Sequence, residues 1–258
     1  MAETVIAAVG DVHGAQHALI DLVRRQERAA GVAVDVVLQV GDFEGNRDEA
    51  DRAGRAPDAQ LGDFPEFVAG RVRFPWPVWF LGGNHEPYRW LDTLAPGAEV
   101  APGCRWLGWV GERRIAGLRV AWLSGIHSAK SFPGERPNAG MGRAWKQSTY
   151  FTAADLERLR GISRPDLLLL HDWPAGLVPR GAPDPFAGTP VKPWFVGNPH
   201  ARALIESLRP RLALCGHLHV GYRGAIGATR VRCLAAVADG DAACALFRAQ
   251  AGVIEELT

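Results

Sequence analysis

Short runs of β-branched and aliphatic residues recur along the chain, each closed by Gly, Pro or a polar block. Residues 5–9, 34–40 and 78–81 are such runs, and their near-continuous apolarity predicts strands buried on both faces. Between the first two lies 16–30, where Leu19, Leu22 and Val23 recur at helical spacing and Gly31 supplies a stop. Strand, helix, strand in that order predicts a right-handed parallel crossover. Residues 118–124, 167–170 and 211–215 predict further strands. Residues 152–160 open Thr-Ala-Ala-Asp and predict a capped helix, and 200–208 predict another. In the tail Val231, Cys233 and Ala235, then Cys244 and Leu246, predict antiparallel strands that close the fold.

Three segments break this pattern, at about 46–63, 128–150 and 174–199. The first is rich in Asp, Arg and Gly. The second mixes Gly, Pro, Lys and Arg with Trp145 and Tyr150, and the third is rich in Pro. Long loops inside a domain are often functional. The expectation is one α/β domain over residues 1–258, with these three excursions near one end of its sheets.

Composition narrows the function classes only a little. Hydrophobic content of 47% and charged content of 22% are ordinary for a globular protein. No apolar run approaches the ~20 residues of a membrane span, and the N-terminal residues show no basic n-region or long apolar h-region. A cytoplasmic protein is expected, with no membrane partner. Cys104, Cys215, Cys233 and Cys244 form no CxxC pair and read as buried free thiols. The net charge of +1 gives no whole-protein attraction to polyanions, so nucleic-acid binding would have to be local. Nothing in the sequence sets the oligomeric state.

The chemistry lies where apolar runs end. Polar blocks stand there at Gly10-Asp11-Val12-His13-Gly14, Gly41-Asp42-Phe43-Glu44-Gly45-Asn46, Gly83-Asn84-His85-Glu86, His171-Asp172-Trp173-Pro174 and Gly216-His217-Leu218-His219. Open α/β sheets bind ligands at the carboxyl ends of their strands. Carboxylate, amide oxygen and imidazole together suit Mn, Fe or Zn. Any single block reads most simply as a turn or a cap; all of them together do not. His17, His127 and His200 lie outside the blocks and read as surface or loop histidines.

The blocks resemble the calcineurin-like metallophosphoesterase family, with its pattern GDxH…GD…GNH[E/D]…H…GHxH. The resemblance implies a four-layer α/β fold, a two-sheet β-sandwich flanked by helices. It implies two divalent metal ions, one held by Asp11, His13 and His219, the other by Asn84, His171 and His217, with Asp42 bridging. His85 would face the scissile phosphate. Such a metal pair clamps the attacking and leaving oxygens of an in-line displacement and generates a bridging hydroxide near neutral pH. His85 is then placed to act as general acid, and Glu86 or Asp172 to orient a neighbouring imidazole.

Within that family the chain is similar to the catalytic region of the RNA lariat debranching enzymes. The similarity includes Asn46-Arg47-Asp48-Glu49-Ala50-Asp51 and Trp173-Pro174, which the metal pattern does not require. Those enzymes commonly carry Cys at the position of Asp11. It implies a phosphodiesterase acting on a nucleotide or on RNA, with segment 128–150 at the place of their recognition loop. Arg47, Lys130, Arg143 and Lys146 would meet phosphates and Trp145 a base. Alternatively, Trp145 and its neighbours only pack the loop on the domain. A phosphomonoesterase, including a protein phosphatase, is the alternative activity, although the second block lacks the GDxVDRG pattern of protein phosphatases. A non-catalytic, metal-stabilised binding module would need a damaged ligand set, and no ligand position is missing.

Overall fold

The first crossover is built as the pattern requires. In the computed structural model, β1 (Thr4–Val9), α1 (Gln16–Ala30) and β2 (Val36–Gln39) follow one another, with β1 and β2 parallel. Helix α1 stops at Gly31, whose left-handed φ of 65° lets its N–H return to the Glu27 carbonyl. The structure describes residues 3–53, 60–137, 143–189, 191–193 and 196–257.

Two short helices, α2 (Glu49–Arg52) and α3 (Phe64–Val68), precede β3 (Val78–Phe80). There follow α4 (Tyr88–Leu91), β4 (Glu99–Ala101), β5 (Cys104–Trp106), β6 (Val110–Ile115) and β7 (Leu118–Leu123). Next come α5 (Arg143–Gln147), α6 (Ala153–Glu157), β8 (Leu167–Leu170), α7 (Pro199–Leu208) and β9 (Leu212–Cys215). The last strands are β10 (Tyr222–Ile226), β11 (Thr229–Cys233), β12 (Cys244–Gln250) and β13 (Val253–Glu256).

The strands form two mixed sheets. One is seven-stranded in the order β13-β12-β1-β2-β3-β5-β4, and the other six-stranded in the order β10-β11-β9-β8-β7-β6. Period-two alternation assigns each strand two faces. Ile6, Ala8, Val36 and Leu38 of the first sheet share a buried cluster with Val120, Trp122, Leu167, Leu169, Leu212 and Leu214 of the second, so the two sheets pack face to face. The intervening Val5, Ala7 and Val9 belong instead to the cluster that contains Leu19, Leu22 and Val23 of α1. Leu168, Leu170, Ala213 and Cys215 belong there with Leu204, Ile205 and Leu208 of α7. Helix, sheet, sheet, helix is the expected layering.

The tail strands pair antiparallel as expected, β11 with β10 and β12 with β13 and β1, but they are divided between the two sheets, and β11 also runs parallel to β9. Alternation marks a strand but not its partner. Here 3₁₀ turns at Val237–Asp239 and Asp241–Ala243 carry the chain between the sheets. The capped helix is shorter than expected, with Thr152 and Asp155 closing its capping box. The excursions hold single-turn helices, α2 and α5, which lack the apolar stripe that would reveal them. Parallel strands β1, β2 and β3 in one sheet, and β7, β8 and β9 in the other, bring their carboxyl ends to one edge of the sandwich.

Candidate metal centre

At that edge the polar blocks converge. Asp11, His13 and His219 place one ligand atom each within 4.8 Å of one another, and Asp42, His171 and His217 do the same. In the first group Nε2 of His219 lies 3.0 Å from Oδ2 of Asp11 and 3.0 Å from Nε2 of His13. In the second, Nε2 of His171 lies 3.2 Å from Oδ2 of Asp42 and 3.2 Å from Oδ1 of Asn84. Asp42 spans the groups, since the same Oδ2 is 4.0 Å from Nε2 of His13. His13, Asp42, Asn84, His85, His217 and His219 line one cavity of about 440 Å³.

The backbone is bent to achieve this. His13, Asp42, Glu44, His217 and His219 all have left-handed φ, between 48° and 72°. Each such residue costs on the order of 1–3 kcal/mol, and such strain gathers at functional sites. Glycine supplies the room beside them. A Cβ on Gly83 would strike Oδ1 and the backbone N of Asp42 and come within 2.7 Å of Nε2 of His171.

Further bonds aim the donors. Nδ1 of His171 donates to the Val40 carbonyl at 2.9 Å, which turns Nε2 toward Asp42 and Asn84. Oδ1 of Asp42 accepts the His85 N–H at 2.8 Å, and both oxygens of Asp11 accept the His217 N–H, at 3.0 and 3.1 Å. Glu86, fully buried, accepts the N–H groups of Phe43 at 2.7 Å and Glu44 at 3.0 Å. Glu86 also accepts the N–H of Gly83 at 3.4 Å, so it ties its own block to the Asp42 turn. Asp172 accepts the His127 N–H at 3.0 Å and the Asn198 amide at 2.7 Å, while its other oxygen lies 4.0 Å from Nε2 of His217.

The charges favour a cation. Burial works against ionisation of Asp42, but the imidazoles of His171, His85 and His13 outweigh it and hold the carboxyl well below its usual range. Burial likewise opposes protonation of His171. Asp42 overcomes it by charge and hydrogen bond, with help from Asp11 and the Val40 carbonyl, and the imidazole is pushed up to about 10. His217 is driven down, first by burial and then by the neighbouring His171. Oxygen and imidazole donors this close, with a deficit of positive charge, fit a hard or borderline divalent ion.

One residue that the sequence did not single out belongs here. Glu44 is 2% exposed and lines the cavity, with Oε2 3.5 Å from Nδ1 of His13. Glu44, His13 and His85 form a third group of ligand atoms within 4.8 Å of one another. Its place in the Asp42 block was visible, but its role depends on the left-handed turn that folds it back.

The residues expected to meet substrate divide. The ring of Trp145 stands 6.4 Å from that of His85, so the 128–150 excursion reaches the centre. Lys130 and Lys146 are exposed. The side chain of Arg143 lies outside the described residues. Arg47 is held by both oxygens of Asp51, at 2.7 and 2.9 Å, and lies 4.1 Å above the ring of Trp90. It lines a separate cavity with Asp51, Arg89 and Trp90, not the one at the metal centre.

Comparison with known proteins agrees with this geometry. The calcineurin-like phosphoesterase family model matches residues 4–221. Lariat debranching enzymes are similar over most of the chain. That of Schizosaccharomyces pombe is 32% identical over 75% of this chain and 44% of its own length. That of Saccharomyces cerevisiae is 32% identical over 88% of this chain and 59% of its own. That of Danio rerio is 31% identical over 84% of this chain and 40% of its own. The chain thus spans about half the length of the curated relatives it matches. Among solved structures, the Thermus thermophilus protein TT1561 superposes with a TM-score of 0.61 at 16% identity, covering 99% of this chain and 98% of that one. GAP50 of Plasmodium, an anchor in the inner membrane complex, gives 0.56 at 9% identity, covering 100% and 89%. These two show the fold alone. The chain belongs to the calcineurin-like phosphoesterase family.

Proposed function

We propose that this calcineurin-like phosphoesterase is a two-metal phosphodiesterase that cleaves a nucleotide or nucleic-acid phosphodiester. The observation that carries the reading is the convergence of two ligand groups, spanned by Asp42, on one cavity of about 440 Å³. The preference for a diester over a monoester rests on the similarity to lariat debranching enzymes. Asp11, His13 and His219 would hold one ion, and Asn84, His171 and His217 the other, with Asp42 between. When bound, the ions would supply Lewis-acid polarisation of the phosphate and a lowered pKa for water, for which Mn, Fe and Zn are all suited by this donor set.

The chain's own groups account for the rest. His85 is anchored through its backbone N–H to Asp42, which sets its imidazole at the cavity wall, and it donates a proton to the departing oxygen. Glu44 orients His13 through Nδ1, so that Nε2 faces the centre. Glu86 holds the turn that carries Asp42 and Glu44. Trp145 closes the side next to His85. We place the protein in the cytoplasm. Its four cysteines are free and buried, as suits a reducing compartment, and no helix among the described residues is long and apolar enough to cross a membrane.

The reading is tested on purified protein with Mn²⁺ and a panel of bis-p-nitrophenyl phosphate, linear and 2′–5′ branched oligonucleotides, and phosphomonoesters. Diester cleavage is expected. Efficient monoester cleavage with none of the diesters would make the protein a phosphomonoesterase instead.

A further inference from the structure

The cavity at the metal centre carries a buried carboxylate that the two ligand groups do not use. Glu44 lines it beside His13, Asp42, Asn84 and His85 and is 2% exposed. Its N–H is held by Glu86 at 3.0 Å, and a φ of 53° folds the residue back toward the centre. Oε2 stands 3.5 Å from Nδ1 of His13. A carboxylate oxygen also lies within 4.8 Å of a ring nitrogen of His85, the group placed at the departing oxygen.

Gln60 lines the same cavity from the first excursion. The buried Asn46 fixes it there by donating its side-chain amide to the Gln60 carbonyl at 2.6 Å. Just beyond, the Asp63 N–H donates to the Gly14 carbonyl at 2.8 Å, which ties the excursion to the block that carries Asp11 and His13. Among the described residues that line the cavity, none is Arg or Lys.

Charge decides what such a cavity accepts. With two divalent ions bound, four positive charges face the carboxylates of Asp11, Asp42 and Glu44, which offset three. A phosphodiester carries one negative charge and matches the remainder. A phosphomonoester, whose second ionisation lies at about pH 6, carries close to two and exceeds it. The excess falls beside Glu44, where burial weakens screening. Cationic side chains could take up that second charge, and the described lining offers Glu44 and the neutral Gln60 instead.

We infer that Glu44 is a specificity-determining residue that makes the centre disfavour dianionic phosphomonoesters against monoanionic phosphodiesters, with Gln60 keeping its part of the lining uncharged. The inference rests on the phosphodiesterase reading and gives it a cause within this chain. It is tested with the E44Q and Q60K variants. E44Q keeps an oxygen to accept from Nδ1 of His13. Gln60 is exposed and is fixed through its backbone carbonyl, so Q60K retains the fold. Native protein and variants, loaded with Mn²⁺ to the same measured content, are compared on bis-p-nitrophenyl phosphate and p-nitrophenyl phosphate at about pH 8, where the monoester is a dianion. A misplaced His13 would lower both rates and cancel in their ratio. A second readout needs no turnover: calorimetric binding of inorganic phosphate against dimethyl phosphate.

The monoester-to-diester ratio of kcat/KM is expected to rise roughly tenfold in E44Q, chiefly through KM, and less in Q60K, where the gain fades with added salt. Phosphate affinity rises in step, and dimethyl phosphate affinity rises less. An unchanged ratio and unchanged phosphate affinity in E44Q would overturn the inference and leave the phosphodiesterase reading intact. Should E44Q fail to take up Mn²⁺, the Q60K ratio decides in the same way. Native protein that hydrolyses the monoester more efficiently than the diester would overturn both.

Discussion

Glu86 accepts the backbone N–H of Glu44 at 3.0 Å, and through its other oxygen that of Phe43 at 2.7 Å. A buried carboxylate from the block after β3 therefore holds the strained turn after β2 that presents Asp42 and Glu44. Replacing Glu86 with Ala leaves two buried N–H groups without this acceptor, at a cost of about 1–3 kcal/mol each before relaxation. E86A is expected to lower the urea midpoint and to weaken Mn²⁺ binding at least about tenfold, measured by calorimetry. E86Q keeps one oxygen acceptor and should fall between.

Gly83 tests the crowding at the same place. A Cβ there would come within 2.2 Å of Asp42 Oδ1 and 2.7 Å of His171 Nε2. G83A is expected to keep its far-UV circular dichroism but to bind Mn²⁺ at least about tenfold more weakly, because both donors must shift. Full retention of metal would show that the turn relaxes freely.

His85 has a role that depends on the leaving group. A nucleoside alkoxide needs a proton as it departs, whereas p-nitrophenolate does not. H85A is expected to lose about 10²–10⁴-fold in kcat on a nucleic-acid diester and far less on bis-p-nitrophenyl phosphate, with Mn²⁺ content unchanged. Equal losses on both substrates would assign His85 to phosphate binding rather than proton transfer.

The sequence displayed this centre unevenly. Each strand ends in a short polar block because parallel strands carry ligands at their carboxyl ends, so the seven ligand candidates and His85 stand next to apolar runs that anyone can find. Glu44 sits among them but is silent in one dimension: its approach to His13 depends on φ 53°, a conformation its residue type does not announce. Asp172 shows the opposite case. Its neighbour His171 suggested an orienting role, and the structure gives it the additional work of tying His127 and Asn198 to the edge. The resemblance turned Arg47 toward a phosphate, and the structure adds what the resemblance did not carry, a pairing of its Nε and Nη2 with Asp51, four residues on. The tail strands were legible as strands, but the sheet each joins depends on the turns at 237–243.

A clasp between the edges of the two sheets gives a pH test. Arg223 of β10 and Arg232 of β11 both bond Glu256 of β13, joining the edges of the two sheets at 2.8 and 3.0 Å. Burial raises the pKa of Glu256, but the hydrogen bond from Arg223 and the charges of both arginines outweigh it and lower the carboxyl below 4.5. A lowered carboxyl contributes stability that is present above the unfolded value near 4.5 and is lost as pH falls through the folded one. E256Q is therefore expected to cost about 1 kcal/mol at pH 7, allowing for the solvent around Arg223. The difference from native should shrink as the pH is lowered below about 4.5. Urea melts at pH 7 and at low pH measure it.

The central claim is a pair of metal sites that together run diester hydrolysis. Its most direct measurement is a titration of chelator-stripped protein with Mn²⁺, following bis-p-nitrophenyl phosphate hydrolysis against metal content per chain. Activity that rises to a plateau at about two ions per chain is expected from the two ligand groups spanned by Asp42. A plateau at one ion, or no hydrolysis at any loading, would contradict it.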